Sequence, residues 1–146
     1  MTMYPVMINI KGKKVVVVGG GKVASRKIKG LLDEGALVTV ISPDLHSSID
    51  ATQVTWLARP YEEGDLEGAK LAFACTDQAS VNLQVMEDAD PSQLVNNTGD
   101  KNHSDFYNVA MAKGKNFSVM ISTNGTSAAY SKAIRQKIEA LLEDLE

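Results

Sequence analysis

Val15–Val18, a run of four valines, leads into Gly19-Gly20-Gly21 and then Lys22-Val23-Ala24. No other stretch restricts the fold as strongly. Consecutive β-branched residues make a strand buried on both faces. The glycines end that strand, and Val23, Ala24, Ile28, Leu31 and Leu32 then recur at helical spacing until Gly35, where a helix C-cap belongs. The turn fits G-x-G-x-x-G/A with Gly19, Gly21 and Ala24 in the three roles. Gly19 permits the tight exit from the strand, Gly21 lets a pyrophosphate approach the backbone, and Ala24 lets the helix pack closely on the strand. A dinucleotide is thus expected on the positive end of the first helix.

The rest of the chain continues the alternation. Leu37–Ile41, Val54–Leu57, Leu71–Cys75 and Leu94–Asn96 read as further strands, and Val81, Val85 and Met86 as a helix behind the fourth. Apolar runs separated by helices predict an α/β fold, a Rossmann-like parallel sheet with helices on both faces. After Asn97 the pattern changes. Phe106–Ala112 and Phe117–Ser122 flank Lys113-Gly114-Lys115-Asn116 as a hairpin, and Thr126 and Ser127 stand where they would cap a long helix striped by Ile134, Ile138, Leu141, Leu142 and Leu145. A lone hairpin and helix bury little by themselves. A dimerisation role is therefore expected of them, with packing back on the same subunit as the alternative. The expected organisation is a NAD-binding Rossmann domain over 1–97, then an active-site loop, dimerisation hairpin and terminal helix over 98–146.

Composition excludes several other classes. With 146 residues, 44% of them hydrophobic and 23% charged, the chain has the length and mix of a globular domain, not of a disordered one. No apolar run approaches the ~20 residues of a membrane helix, and no leader pattern opens the sequence. The net charge of −3 argues against duplex nucleic acid as a partner. Cys75 is the sole cysteine, which excludes an intrachain disulfide, makes a cysteine-based zinc site implausible and fits a reducing cytoplasm. Asn-x-Ser/Thr triplets start at Asn96, Asn102, Asn116 and Asn124; without an export signal they are read as chance.

Dinucleotide choice is set after the second strand, where an acid holds ribose hydroxyls and an Arg accommodates a 2′-phosphate. Here the residues are Ser42-Pro43-Asp44, with no cation, so NAD is expected rather than NADP. Asp44 either supplies the acid or caps the Leu45–Ile49 stretch. Thr76-Asp77, past the fourth strand, either borders the nicotinamide or places Asp77 as a helix N-cap. Cys75, within an apolar strand, reads as packing rather than nucleophile. The most polar segment, Asn96–Asp105, offers Asp100, His103 and Asp105 for proton transfer, against the alternative of a solvated loop. No metal-ligand spacing is evident, so no resident metal is expected. A nucleotide-sensing regulatory domain that binds NAD without chemistry is the rival reading.

Tyr4-Pro5-Val6, Val18-Gly-Gly-Gly-Lys-Val-Ala-Ser-Arg-Lys27, Ala74-Cys-Thr-Asp77 with Asn82 beyond, and Ser122-Thr-Asn-Gly-Thr-Ser127 occur in this order. Together they resemble the precorrin-2 dehydrogenase family, which includes the amino-terminal module of siroheme synthase. The resemblance covers essentially the whole chain. It implies a homodimer, NAD-dependent oxidation of precorrin-2 to sirohydrochlorin, and in some members metal insertion into that product. It places cofactor contacts at Gly19–Val23 (Gly19, Gly21, Lys22 and Val23 among them), Ser42, Pro43, Asp44 and Thr76. A catalytic aspartate follows an Asn-x-x-Asp pattern, matched by Asn97-Thr-Gly-Asp100; the loop is about one residue shorter than in some members, so Asp105 and His103 stay rivals for that role. Thr126, Ser127 and Lys101, with Lys113 and Lys132, are candidate anchors for the substrate's carboxylates. The chain departs from the family in carrying Ser127-Ala128 where members often have Ser-Pro. Many members also continue past the position of Glu146 into a further helical segment, without which the substrate cleft is expected to be more open.

Overall fold

The structure is a computed structural model that describes residues 3–145. The chain divides into two compact units. Met7–Tyr107 forms one; the described parts of Met1–Val6 and Asn108–Glu146 form the other. The loop 98–107, grouped above with the hairpin, lies in the first unit.

The first unit is a five-stranded sheet built from β1 (Lys14–Val18), β2 (Leu37–Ile41), β3 (Thr55–Leu57), β4 (Leu71–Ala74) and β5 (Leu94–Asn97). The order is β3-β2-β1-β4-β5 and every pair is parallel. Alternation along β1 explains why its valines are continuous. Val15 and Val17 face one core with Ala24, Ile28 and Leu31 of helix α1 (Lys22–Asp33), while Val16 and Val18 face a second core with Val85 of helix α2 (Ala79–Asp88). Each valine is essentially fully buried. At roughly 1.5–3 kcal/mol per buried aliphatic side chain, β1 is the centre of the unit's stability.

Helix α1 ends where Gly35 predicts. Gly35 has φ +79°, its N–H donates to Leu32 C=O (3.0 Å), and the Ala36 N–H donates to Leu31 C=O (3.1 Å). These two bonds form a Schellman motif, which favours glycine at the left-handed position. Val23 departs from the expected stripe: it is exposed, in the first turn of α1.

The sheet stops at β5 because the following chain covers its outer edge. Asp105 N–H donates to Val95 C=O (2.8 Å), and Val95 N–H donates to the Asp105 carboxylate (2.9 Å). Asn97 N–H donates to Ser104 Oγ (2.9 Å), and the Asn96 amide donates to Phe106 C=O (2.8 Å). Phe106, expected to open the hairpin, instead packs edge-to-face on Phe73 with ring centroids 5.5 Å apart.

The second unit is the hairpin β6 (Ala110–Lys113) and β7 (Ser118–Ile121), with helix α3 (Ala128–Leu145). Ser127 caps α3, its Oγ accepting from Tyr130 N–H (3.0 Å). The expected stripe divides. Ile134, Ile138 and Leu142 pack on Ala112 and Ile121 within this unit, whereas Leu141 and Leu145 are exposed. Val109, Met111, Phe117, Met120 and Tyr130 are exposed as well. Among the described residues, no helix is long and apolar enough to cross a membrane.

Candidate active site

Strand order reverses direction between β1 and β4, and in open parallel sheets ligands bind in the crevice beyond the strands' carboxyl ends at such a switch point. A cleft of about 890 Å³ lies there. Its walls are the glycine turn, the β2 exit loop Ser42–His46, Pro60 and Tyr61 after β3, the β4 exit Cys75–Gln78, and Thr98-Gly99 after β5.

The three glycines of the turn have three different reasons to be glycine. Gly19 has φ +118°, and a Cβ there would stand 2.7 Å from Cys75 C=O oxygen and 3.3 Å from Thr76 N. A Cβ on Gly20 would overlap the Asp44 carbonyl oxygen and stand 2.7 Å from Ser42 Oγ. A Cβ on Gly21 would meet nothing within 4 Å. Nothing in the apo chain demands glycine at the third position; a bound group lying against the backbone would. Gly21 is also the N-cap of α1, with no side-chain cap and no acidic residue in the first turn. The orphan N–H groups and helix dipole therefore face open space, as a phosphate requires. Lys22 and Val23 line the same wall.

The β2 exit loop is held from three sides. Ser42 N–H donates to Leu57 C=O (3.1 Å), Trp56 Nε1 donates to Ser42 C=O (2.8 Å), and Ser42 Oγ donates to Asp44 C=O (2.6 Å). The Ser42 hydroxyl is thus spent on shaping the loop. His46 N–H donates to Gly20 C=O (2.6 Å). Pro43 and Asp44 are exposed into the cleft. Leu45–Ile49 forms no helix, so Asp44 caps nothing, and its carboxylate has no hydrogen-bond partner among the described residues.

Past β4, Asn82 of α2 grips Thr76. Its Oδ1 accepts from Thr76 N–H (3.1 Å) and Thr76 Oγ1 (2.7 Å), and its Nδ2 donates to Thr76 C=O (3.0 Å). The N-cap of α2 is Gln78, so Asp77 is not the cap. Gln78 N–H donates instead to Thr76 Oγ1 (3.2 Å), because the loop turns one residue later than the pattern suggested. Cys75 is buried, and burial pushes its thiol up to about 11, which keeps it protonated and inert.

Past β5, the buried Asn97 gives the Asn-x-x-Asp spacing a local reason. Its Oδ1 accepts from Gly99 N–H (3.0 Å) and Asp100 N–H (3.2 Å), folding Asp100 into place. The Asp100 carboxylate pairs with His103 Nδ1 at 2.7 Å and accepts from Asn102 N–H (3.0 Å). The His103 hydrogen bond, followed by that of Asn102, holds its carboxyl below the usual carboxylate range. Asp105 is placed differently: its carboxylate serves the β5 edge. Lys101 lies in the short 3-10 turn Lys101–His103. Thr126 and Ser127 belong to the second unit, where Thr126 Oγ1 donates to Thr123 C=O (2.7 Å).

Gly20 falls within the Gly19–Val23 stretch that the resemblance marks, without a named role there, whereas Trp56, Tyr61 and Asn82 are outside the site residues that the sequence offers. Gly20 occupies an unspecified position of the glycine pattern, and Asn82 had only its place in the family resemblance as a signal. Tyr61, whose hydroxyl donates to Asp88 (2.7 Å), had none. Among the described residues, no three His, Cys, Asp or Glu side chains gather as a metal site.

Sheet order, glycine turn and cleft are those of a dinucleotide-binding protein of Rossmann type. Residues 6–110 match the family profile described as "Putative NAD(P)-binding", and residues 116–141 match "Sirohaem biosynthesis protein central". The chain is 33% identical to the precorrin-2 dehydrogenase of Bacillus subtilis over 97% of its own length and 90% of that protein's. It is 36% identical to the siroheme synthase of Photorhabdus laumondii over 97% of its own length, but spans only 31% of that longer protein. Among solved structures, "SirC, precorrin-2 dehydrogenase" superposes with a TM-score of 0.85 at 32% identity, covering 94% of this chain and 70% of that one. The chain belongs to the precorrin-2 dehydrogenase family.

Proposed function

We propose that this chain oxidises precorrin-2 to sirohydrochlorin with NAD as hydride acceptor, a step toward siroheme or a related tetrapyrrole. The observation that carries it is the Gly21 turn. It is open to an anion and needs no glycine for the fold, and the cleft it opens on is bounded at the β5 exit by Thr98 and Gly99, the residues that lead directly into Asp100. The kinship supplies the substrate class.

Asp44 supports NAD over NADP. Its carboxylate, with no hydrogen-bond partner among the described residues, lies at the β2 exit, where it would accept from ribose hydroxyls and repel a 2′-phosphate. The adenosine half would then lie over β2, the pyrophosphate on Gly21 and the first turn of α1, and the nicotinamide half toward the β4 and β5 exits. When bound, the nicotinamide ring supplies the hydride acceptor. Loss of a hydride from the tetrapyrrole leaves a proton to remove, and Asp100 is the base in this reading. Its ionised state is secured by His103. Asp105, bound to the β5 backbone, maintains the sheet edge. Lys101, Thr126 and Ser127 are offered as anchors for the substrate's carboxylates. The exposed apolar residues of the second unit, Met120 and Leu141 among them, support a homodimer. The lone buried thiol is compatible with a cytoplasmic setting.

The test is anaerobic absorbance of precorrin-2 with and without NAD. Stoichiometric NADH and sirohydrochlorin are expected. NAD binding without turnover would instead establish the regulatory reading.

A further inference from the structure

We propose that Asn82 is the positioning residue of this cleft, setting the nicotinamide half of the cofactor against the catalytic loop. The inference rests on the cofactor reading above. Asn82 is 2% exposed, and its side-chain amide pairs with both the N–H and the C=O of Thr76. It thereby acts as one more strand partner beyond the end of β4. The Cys75–Thr76 peptide fixed in this way is the surface on which Gly19 turns, with the Gly19 Cβ position 2.7 Å from Cys75 C=O oxygen. On its other side Asn82 meets the β5 exit: a Cβ on Gly99 would stand 3.2 Å from Asn82 Nδ2. Asn97, which folds Gly99 and Asp100, is next to it, 3.5 Å from the same Cβ position. One buried amide therefore joins the β4 exit to the loop that carries Asp100, while the N–H groups offered to a pyrophosphate belong to Gly21 and the first turn of α1, which its hydrogen bonds do not reach. The β2 exit, which serves the adenosine half, is braced separately by Trp56 and Gly20.

This separation makes the role measurable. Asn82→Asp keeps the size of the side chain but sets an oxygen against Thr76 C=O. ADP, which probes the adenosine and pyrophosphate positions, should bind within about twofold of wild type by calorimetry. NAD affinity should fall about tenfold, the usual scale for losing one buried hydrogen bond, and kcat should fall while KM for precorrin-2 holds. Gly99→Ala, which crowds the same amide from the other side without altering it, should show the same pattern more weakly and carries the test if Asn82→Asp fails to fold. Equal losses for ADP and NAD, or no loss of either, would overturn the positioning role while leaving the cofactor reading intact. A wild-type chain that binds ADP but not NAD would overturn both.

Discussion

Gly20 and Asp44 are in direct contact: the carbonyl oxygen of Asp44 occupies the space that a Cβ on Gly20 would need. The glycine turn and the β2 exit loop are thereby set against each other. Gly20→Ala should displace Ser42–His46 and cost about 1–3 kcal/mol of stability, the scale of an overpacked core. Chemical denaturation checks the cost, and NAD titration of the folded fraction should show weakened binding.

Gly21→Asp should give the opposite signature. Its side chain meets nothing in the chain and lands at the N-cap of α1, where Asp outranks Gly by a few tenths of a kcal/mol. Thermal melting of the apo protein should therefore hold or rise slightly, while NAD binding is abolished by overlap and like charge. Retained NAD affinity in this variant would remove Gly21 as the pyrophosphate seat.

Asp44→Ser removes the carboxylate from a loop whose shape depends on the Asp44 backbone. The ratio of kcat/KM for NAD to that for NADP should fall by about tenfold, mainly through better use of NADP. Wild-type efficiencies that are equal for the two cofactors would contradict the assignment.

Asp100→Asn should lower dehydrogenation by roughly 10²–10⁴-fold with NAD binding retained. His103→Ala should act through pH instead. Losing its hydrogen bond lets the Asp100 pKa rise back toward the ordinary carboxylate range. A base is active only when ionised, so the acid limb of kcat/KM should move to higher pH. Asp105→Asn should leave that limb in place and destabilise the fold by about 1 kcal/mol, because it weakens the bond to Val95 N–H.

Leu141→Asp should move the particle mass toward monomer in light scattering while the unit stays folded, since Leu141 is 60% exposed and lies outside the core that α3 forms with its hairpin. Ile138→Asp is the contrasting variant. It places a charge between α3 and the hairpin, and should lower the melting temperature instead.

The strands are legible because β1 and β4 are buried on both faces and appear as unbroken apolar runs, and the β2 run is interrupted by Thr39 alone. The Asn97–Asp100 spacing is marked by the family resemblance alone, and its local reason is the bond from Asp100 N–H to Asn97 Oδ1. What escaped reading depends on distant partners. Phe106 followed by Tyr107 looks like the start of a strand, and only the unpaired edge of β5 and the ring of Phe73 draw it elsewhere. The α3 stripe is wider than the surface its hairpin presents, so periodicity could not tell Ile138 from Leu141. Gly20 and Asn82 act between loops far apart in sequence, and nothing local marks them.

The segment that seals β5 also governs how the protein behaves when crowded or refolding. A bare strand edge recruits strands from neighbouring molecules. On the β5 side those donors and acceptors are already taken by residues 104–106, supplied within ten residues of the strand itself, so closure does not wait for remote contacts. Within this sheet, cross-molecule strand addition is left with β3, three residues long and too short to template much. A chain weakened at Asp105 should therefore reveal itself first as aggregation at high concentration, before any loss of catalytic rate.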